Sequence, residues 1–210
     1  QLLSVHGRGS LFRSIRHGQA VGSQGFLIVL HANGIHHNFP VGACIRHFRH
    51  VLQNFLGFPG RQAELGQDGL PDLSAICAAI DPSTKMVYIQ RSRGYSLRPS
   101  LSVRQIGEVV RAVKAVKPDV IGMVDNCYGE FVEESEPLSV GADLIAGSLI
   151  KNPGGGLAPM GGYVAGRRDL VECAATRMTV PGIGRECGAS LGNNRALYQG
   201  LFLAPHTVAQ

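Results

Sequence analysis

Tryptophan is absent from this chain of 210 residues, aromatic residues make up only 6% of it, and no apolar run reaches the length of a membrane span. A helix needs about 20 consecutive apolar residues to cross a bilayer, and the apolar stretch Phe26–Leu30 is far too short. No charged start is followed by a small-residue cleavage site, so nothing reads as a signal peptide. The five cysteines (Cys44, Cys77, Cys127, Cys173 and Cys187) are scattered and contain no CxxC pair. That spacing argues against a disulfide framework or a zinc site, and reduced thiols in a cytoplasmic protein are the expectation.

The most telling absence is local. The first 60 residues contain no Asp, Glu, Lys, Thr, Tyr or Met, yet hold five arginines (Arg8, Arg13, Arg16, Arg46, Arg49) and seven of the eight histidines. Residues 61–210 carry 15 basic and 15 acidic side chains, so the net charge of +5 belongs wholly to the first segment. Ordinary globular segments use charges of both signs at about a quarter of positions. Three readings of residues 1–60 compete. A nucleic-acid arm would use the arginines, but they are dispersed and lack interleaved aromatics. A metal site would use His31, His36, His37, His47 and His50, but no carboxylate or supporting motif accompanies them. The third is a stretch translated in a shifted reading frame, and the amino-acid bias favours it. Such a segment has little to bury and is expected to pack poorly.

From residue 61 the pattern is α/β. Met86–Gln90, Asp119–Asp125, Ala142–Ile150 and Gly161–Ala165 read as strands, and Phe26–Leu30 reads as a further buried strand. Val103, Ile106, Val109, Val110, Val113 and Val116 recur at helical spacing over Ser102–Lys117, and Pro118 stops that helix. Arg168–Arg177 and a stretch around Leu191–Leu203 also read as helical. Alternating strands and helices predict a mostly parallel sheet covered on both faces.

Ligands of open α/β sheets sit beyond the carboxyl ends of the strands. Asp125 ends one predicted strand and Lys151 follows another, with the run Asn152-Pro153-Gly154-Gly155-Gly156 behind it. Singly, such a carboxylate is usually a cap or turn former and such a lysine is usually solvated. The glycines lack both the P-loop and the GxGxxG pattern. Together, an acid and a later lysine at two strand ends suit pyridoxal 5'-phosphate (PLP). There the amine bonds to the cofactor aldehyde, and the carboxylate keeps the pyridine nitrogen protonated. Burial and the positive charge of the bond to the cofactor are together expected to lower the Lys151 pKa enough for it to act as a base. Ser148 is near enough in sequence to offer a hydroxyl to the phosphate, and equally reads as a small strand residue.

The strings QRSRGYSLRPSL (90–101), VDNCYGEFVEESEP (124–137), VGADLIAGSLIKNPGGGLAPMGGYVAGR (140–167) and VPGIGRECGAS (180–190) resemble the methionine gamma-lyase-like family, whose members are often described as aluminium-resistance, cystathionine beta-lyase-like proteins. The resemblance runs from about residue 62 to 210. It implies an α/β fold, the large domain of the PLP-dependent transferase (aspartate-aminotransferase) type, and a PLP-dependent lyase that eliminates at the C–S bond of a sulfur-containing amino acid, a small-molecule substrate. It implies Lys151 as catalytic and cofactor-binding lysine, Asp125 as the pyridine partner, Ser148 at the phosphate, and Asn126 and Tyr128 lining the site. Arg91 and Arg93 stand where related enzymes touch cofactor or substrate, and read equally as surface charge. A homo-oligomer is implied for the intact protein, with no nucleic acid, membrane or metal.

The family's phosphate-cradling glycine helix start and ring-stacking aromatic are not found in residues 6–60, where only Leu2-Leu3-Ser4-Val5 is faintly similar to a family strand. The small C-terminal domain with its substrate-clamping arginine is not found either. The expectation is therefore a large domain incomplete at both ends: a truncated lyase or, alternatively, an inactive fragment or association-only subunit.

Overall fold

In a computed structural model of the chain, residues 26–30, 60–63, 65–94, 97–178 and 192–210 are described. They include a six-stranded sheet of order β2-β1-β3-β4-β5-β6: β1 Phe26–Leu30, β2 Gly60–Ala63, β3 Thr84–Gln90, β4 Ile121–Asp125, β5 Leu144–Ser148 and β6 Gly162–Gly166. The first four pairings are parallel, and only β6 runs antiparallel to β5. Four helices accompany them: α1 Leu73–Ala78, α2 Val103–Val116, α3 Arg168–Met178 and α4 Asn194–Val208. The mostly parallel α/β sheet expected from the sequence is therefore present. Phe26–Leu30 is a strand, paired on both sides by β2 and β3. The rest of the basic, histidine-rich segment up to residue 59 lies outside the described residues, as do its proposed histidine cluster and the expected poor packing.

The central helix shows why the pattern was readable. Ser102 caps α2 by accepting from the Gln105 backbone N–H at 3.2 Å, while the Gln105 side chain accepts from the Ser102 backbone N–H at 2.8 Å. This reciprocal capping box satisfies donors that the helix start leaves open. Val103, Ile106, Val109, Val110 and Val113 are all buried, but Val116 is exposed on the last turn. The buried set packs on Val87 and Ile89 of β3, Val124 of β4, Ile145 of β5 and Ile76 of α1. Each such side chain contributes about 1.5–3 kcal/mol on full burial.

Two shorter elements escaped sequence reading. β2 is a four-residue edge strand with no apolar alternation, and α1 is a six-residue helix capped by Asp72, which accepts from Ala75 at 3.0 Å. α4 runs on past Leu203 and contains Pro205, which the expected boundary had excluded. Pro205 has no N–H to offer the carbonyl of Leu201 one turn earlier, so the helix forgoes one backbone bond there.

Asp143, just before β5, fastens the end of the sheet remote from the strand carboxyl termini. Its carboxylate accepts from Lys114 of α2 at 2.7 Å, from the Gly122 backbone of β4 at 2.8 Å and from Arg167 beyond β6 at 3.3 Å. Burial works against the charge, but Lys114, the Gly122 amide and Arg167 outweigh it and hold the carboxyl below the usual aspartate range. A depressed carboxylate adds stability above its unfolded pKa and loses it as pH falls through the folded value. Asp143→Ala is expected to cost on the order of 3 kcal/mol in urea melts at neutral pH. The difference from wild type should shrink on the acid side, below the ordinary aspartate range; an undiminished difference there would contradict this account.

Candidate active site

β4 and β5 are parallel neighbours with Asp125 opposite Ala146, so Asp125 and Lys151, three residues beyond β5, emerge at the same edge of the sheet. Asp125 is half-buried and held on both oxygens. Tyr88 of β3 donates its hydroxyl to Oδ2 at 2.9 Å, and the Cys127 backbone N–H donates to Oδ1 at 3.1 Å. Burial and then the Asp125 charge push the Tyr88 hydroxyl well above the usual tyrosine range, so it stays a donor.

The half-buried Lys151 ammonium lies over the Tyr128 ring, 4.5 Å from its centroid. Cation–π contact of this kind is worth about 0.5–1 kcal/mol where solvent is near. Tyr128 is 59% exposed and has φ of 66°, a left-handed backbone that a bulky residue adopts only when its surroundings impose it. Burial lowers the Lys151 pKa, but Cys127, Tyr128 and Asp125 outweigh it, and the amine is raised above the ordinary lysine value. The lowering expected from burial and the Schiff base belongs to the cofactor-bound state; in the chain by itself the acidic surroundings prevail. Ser148 ends β5, half-buried, and its carbonyl accepts from the Lys151 backbone N–H at 3.3 Å.

Asn126 and Arg91 are brought together, but beneath the strand ends. Asn126 is 0% exposed and Arg91 2% exposed, so Arg91 is not surface charge. Its guanidinium donates to Asn126 Oδ1 at 2.8 Å, Glu136 at 3.2 Å, Glu133 at 2.7 Å and the Leu101 carbonyl at 3.3 Å. Arg93 is exposed, on the turn beyond β3. Among the described residues no group of His, Cys, Asp and Glu could hold a metal ion, and no helix is long and apolar enough to cross a membrane.

The glycine run after Lys151 serves the protein's own packing. A Cβ at Gly155 would lie 2.3 Å from the Gly200 carbonyl oxygen of α4, and one at Gly200 would lie 2.2 Å from that of Gly154. Two backbones meet there with no side chain between them.

Sequence reasoning missed Tyr88 and Cys127. Tyr88 was within reach of a pairing argument, because Tyr88 faces Met123 and side chains two apart on paired strands share a face. Burial, followed by Asp125, pushes the Cys127 thiol up to about 11. At neutral pH it is therefore a thiol, and a poor nucleophile. Iodoacetamide labelling read by peptide mass mapping should be slower at Cys127 than at the exposed Cys173 near pH 7, and should accelerate as pH climbs toward that value. Rapid labelling of Cys127 at neutral pH would show that its proton is not held.

The same arrangement of strands and turns recurs in known proteins. The methionine gamma-lyase family matches residues 48–210, so the match begins earlier than residue 62, where the resemblance was expected to start. An uncharacterized protein of Bacillus subtilis (strain 168), YnbB, is 58% identical over 147 residues, which is 70% of this chain and 35% of that one. The crystal structure of a Listeria monocytogenes protein involved in aluminium resistance superposes with a TM-score of 0.82 at 39% identity, covering 99% of this chain and 53% of that chain. A carbon–sulfur lyase involved in aluminium resistance from Clostridium novyi gives 0.78 at 38% identity, over 95% and 47%. The chain spans about a third to a half of the length of these relatives. A match over the whole of the Asp125 and Lys151 region places the chain in the methionine gamma-lyase family.

Proposed function

We propose that this chain carries the cofactor-binding part of a PLP-dependent lyase that breaks the C–S bond of a sulfur-containing amino acid. The observation that carries the reading is the placement of Asp125 and Lys151 at the carboxyl ends of two adjacent parallel strands, with the amine within the field of the carboxylate. The side chains suit the cofactor: a half-buried primary amine, a carboxylate held on both oxygens and a hydroxyl at the end of β5. Lys151 would hold the aldehyde carbon, Asp125 the pyridine nitrogen and Ser148 the phosphate.

When bound, PLP supplies an aldehyde that captures amines and a protonated ring that takes up electrons from the substrate α-carbon. The chain's own residues do the rest. Tyr88 and the Cys127 amide donate to the two Asp125 oxygens and fix the direction of its carboxyl group. Lys151 Nζ would move the α-proton once the bound cofactor's positive charge has offset the acidic surroundings that raise its pKa, and Tyr128 gives that amine a place to rest when it is free. Asn126 acts from below through buried hydrogen bonds to Arg91, Glu136 and Tyr163, which makes it a positioning residue. Arg91 supports it in the same way, through its buried hydrogen bond to Asn126.

PLP added to the purified chain should give the visible absorbance of a lysine-bound cofactor. Borohydride reduction and peptide mapping should then place the pyridoxyl group on Lys151, and Lys151→Ala should abolish it. Asp125→Ala should weaken PLP binding by about tenfold or more. Labelling at Lys85, Lys114 or Lys117 would sink the assignment. Bound PLP without ammonia release from cystathionine would overturn the lyase reading and leave the cofactor site standing.

A further inference from the structure

The least explained group in the fold is Glu130. It is 4% exposed, its Oε2 is buried with no hydrogen-bond partner, and burial raises its pKa. A carboxyl in that position costs stability, and an apolar residue would pack there without the cost. Its hydrogen bonds indicate what it does instead. Oε1 accepts from the Tyr163 hydroxyl of β6 at 2.7 Å, and its backbone carbonyl accepts from Asn152 Nδ2 at 2.9 Å. Asn152 is the residue directly after Lys151. The Tyr163 hydroxyl in turn accepts from Asn126 Nδ2 at 3.2 Å, and Asn126 is the residue directly after Asp125.

We propose that Glu130 is a positioning residue that fixes the spacing of the Asp125 carboxylate and the Lys151 amine, through the buried chain Asn126–Tyr163–Glu130–Asn152. The inference rests on the reading of those two residues as the PLP site. Three hydrogen bonds join the residue following one functional group to the residue following the other, and each link is to a different element. The turn after β4 supplies Asn126 and Glu130, β6 supplies Tyr163, and the turn after β5 supplies Asn152. Strand pairing fixes where β4 and β5 end; it does not fix where the turns beyond them go, and this chain does. The sheet makes room for it at Gly147, where a Cβ would lie 2.4 Å from Glu130 Oε1 and 2.5 Å from the Tyr163 ring. The backbone is left-handed at Tyr128 and Phe131, on either side of Glu130.

The test compares wild type, Glu130→Ala, Glu130→Gln and Tyr163→Phe for PLP affinity by absorbance titration, for the pH midpoint of the bound cofactor's visible band, and for thermal unfolding. Glu130→Ala should bind PLP about tenfold more weakly and shift the midpoint. Glu130→Gln, which still offers an oxygen to Tyr163, should recover most of the affinity. A merely structural role would lower the melting temperature without moving the midpoint, and would overturn the proposal. So would equal affinities for the alanine and glutamine variants. If Glu130→Ala fails to fold, Tyr163→Phe, which lacks one hydroxyl, carries the same expectation. If wild type itself takes no PLP on Lys151, the functional reading fails separately. The brace is then judged by trinitrobenzenesulfonate labelling of Lys151 in the chain without cofactor, where an unchanged rate in Tyr163→Phe overturns it.

Discussion

The parallel pairing of β4 with β5 is the constraint on which the rest of the site depends. The Asn126 N–H donates to the Ala146 carbonyl at 2.8 Å, carrying the ladder one residue beyond Asp125. Parallel strands need a covered crossover, and the apolar faces of β3, β4 and β5 close on α2 to provide it. With that register set, a carboxylate ending one strand and an amine just past the next emerge side by side. The sheet's chemistry is therefore concentrated at one edge, while Asp143 secures the opposite edge by charge pairing.

Polar groups below that edge are unusually deep. Arg91, Asn126 and Glu130 are all nearly inaccessible, and Glu133 and Glu136 meet the Arg91 guanidinium from the same turn. Glu133 also accepts from the Val103 backbone at the start of α2, at 2.9 Å. The acidic run 133–136 looks in sequence like a solvated loop. In the fold it folds back over Arg91, because a buried guanidinium must find acceptors or lose several kcal/mol.

Much of this was legible beforehand, for reasons that differ by residue. The strands and α2 were legible because their apolar residues repeat at the strand or helix period and because Ser102 and Pro118 mark the ends. Asp125 and Lys151 were legible because long strings around them are similar to a family. Arg91 was not, since nothing in a single sequence distinguishes an arginine that reaches solvent from one enclosed by acids forty residues later. Tyr88 and Glu130 were missed for a related reason: each acts through a partner on another element, and such pairings follow from topology. The short elements β2 and α1 lack the length over which a period can be recognised.

The contact of Gly154 and Gly155 with Gly200 ties the rotational phase of a helix to the turn that carries the lysine. An α-helix advances by about 100° per residue. Inserting or deleting one residue between Asn194 and Gly200 would therefore swing the bare backbone away and bring a side chain round in its place. Length changes in α4 should be tolerated beyond Ala204, which is buried against the same turn, and excluded before it, unless they come in multiples that restore the phase. A helix remote in sequence thus acts as a ruler for the chemistry at Lys151, counting residues where the rest of the site counts hydrogen bonds.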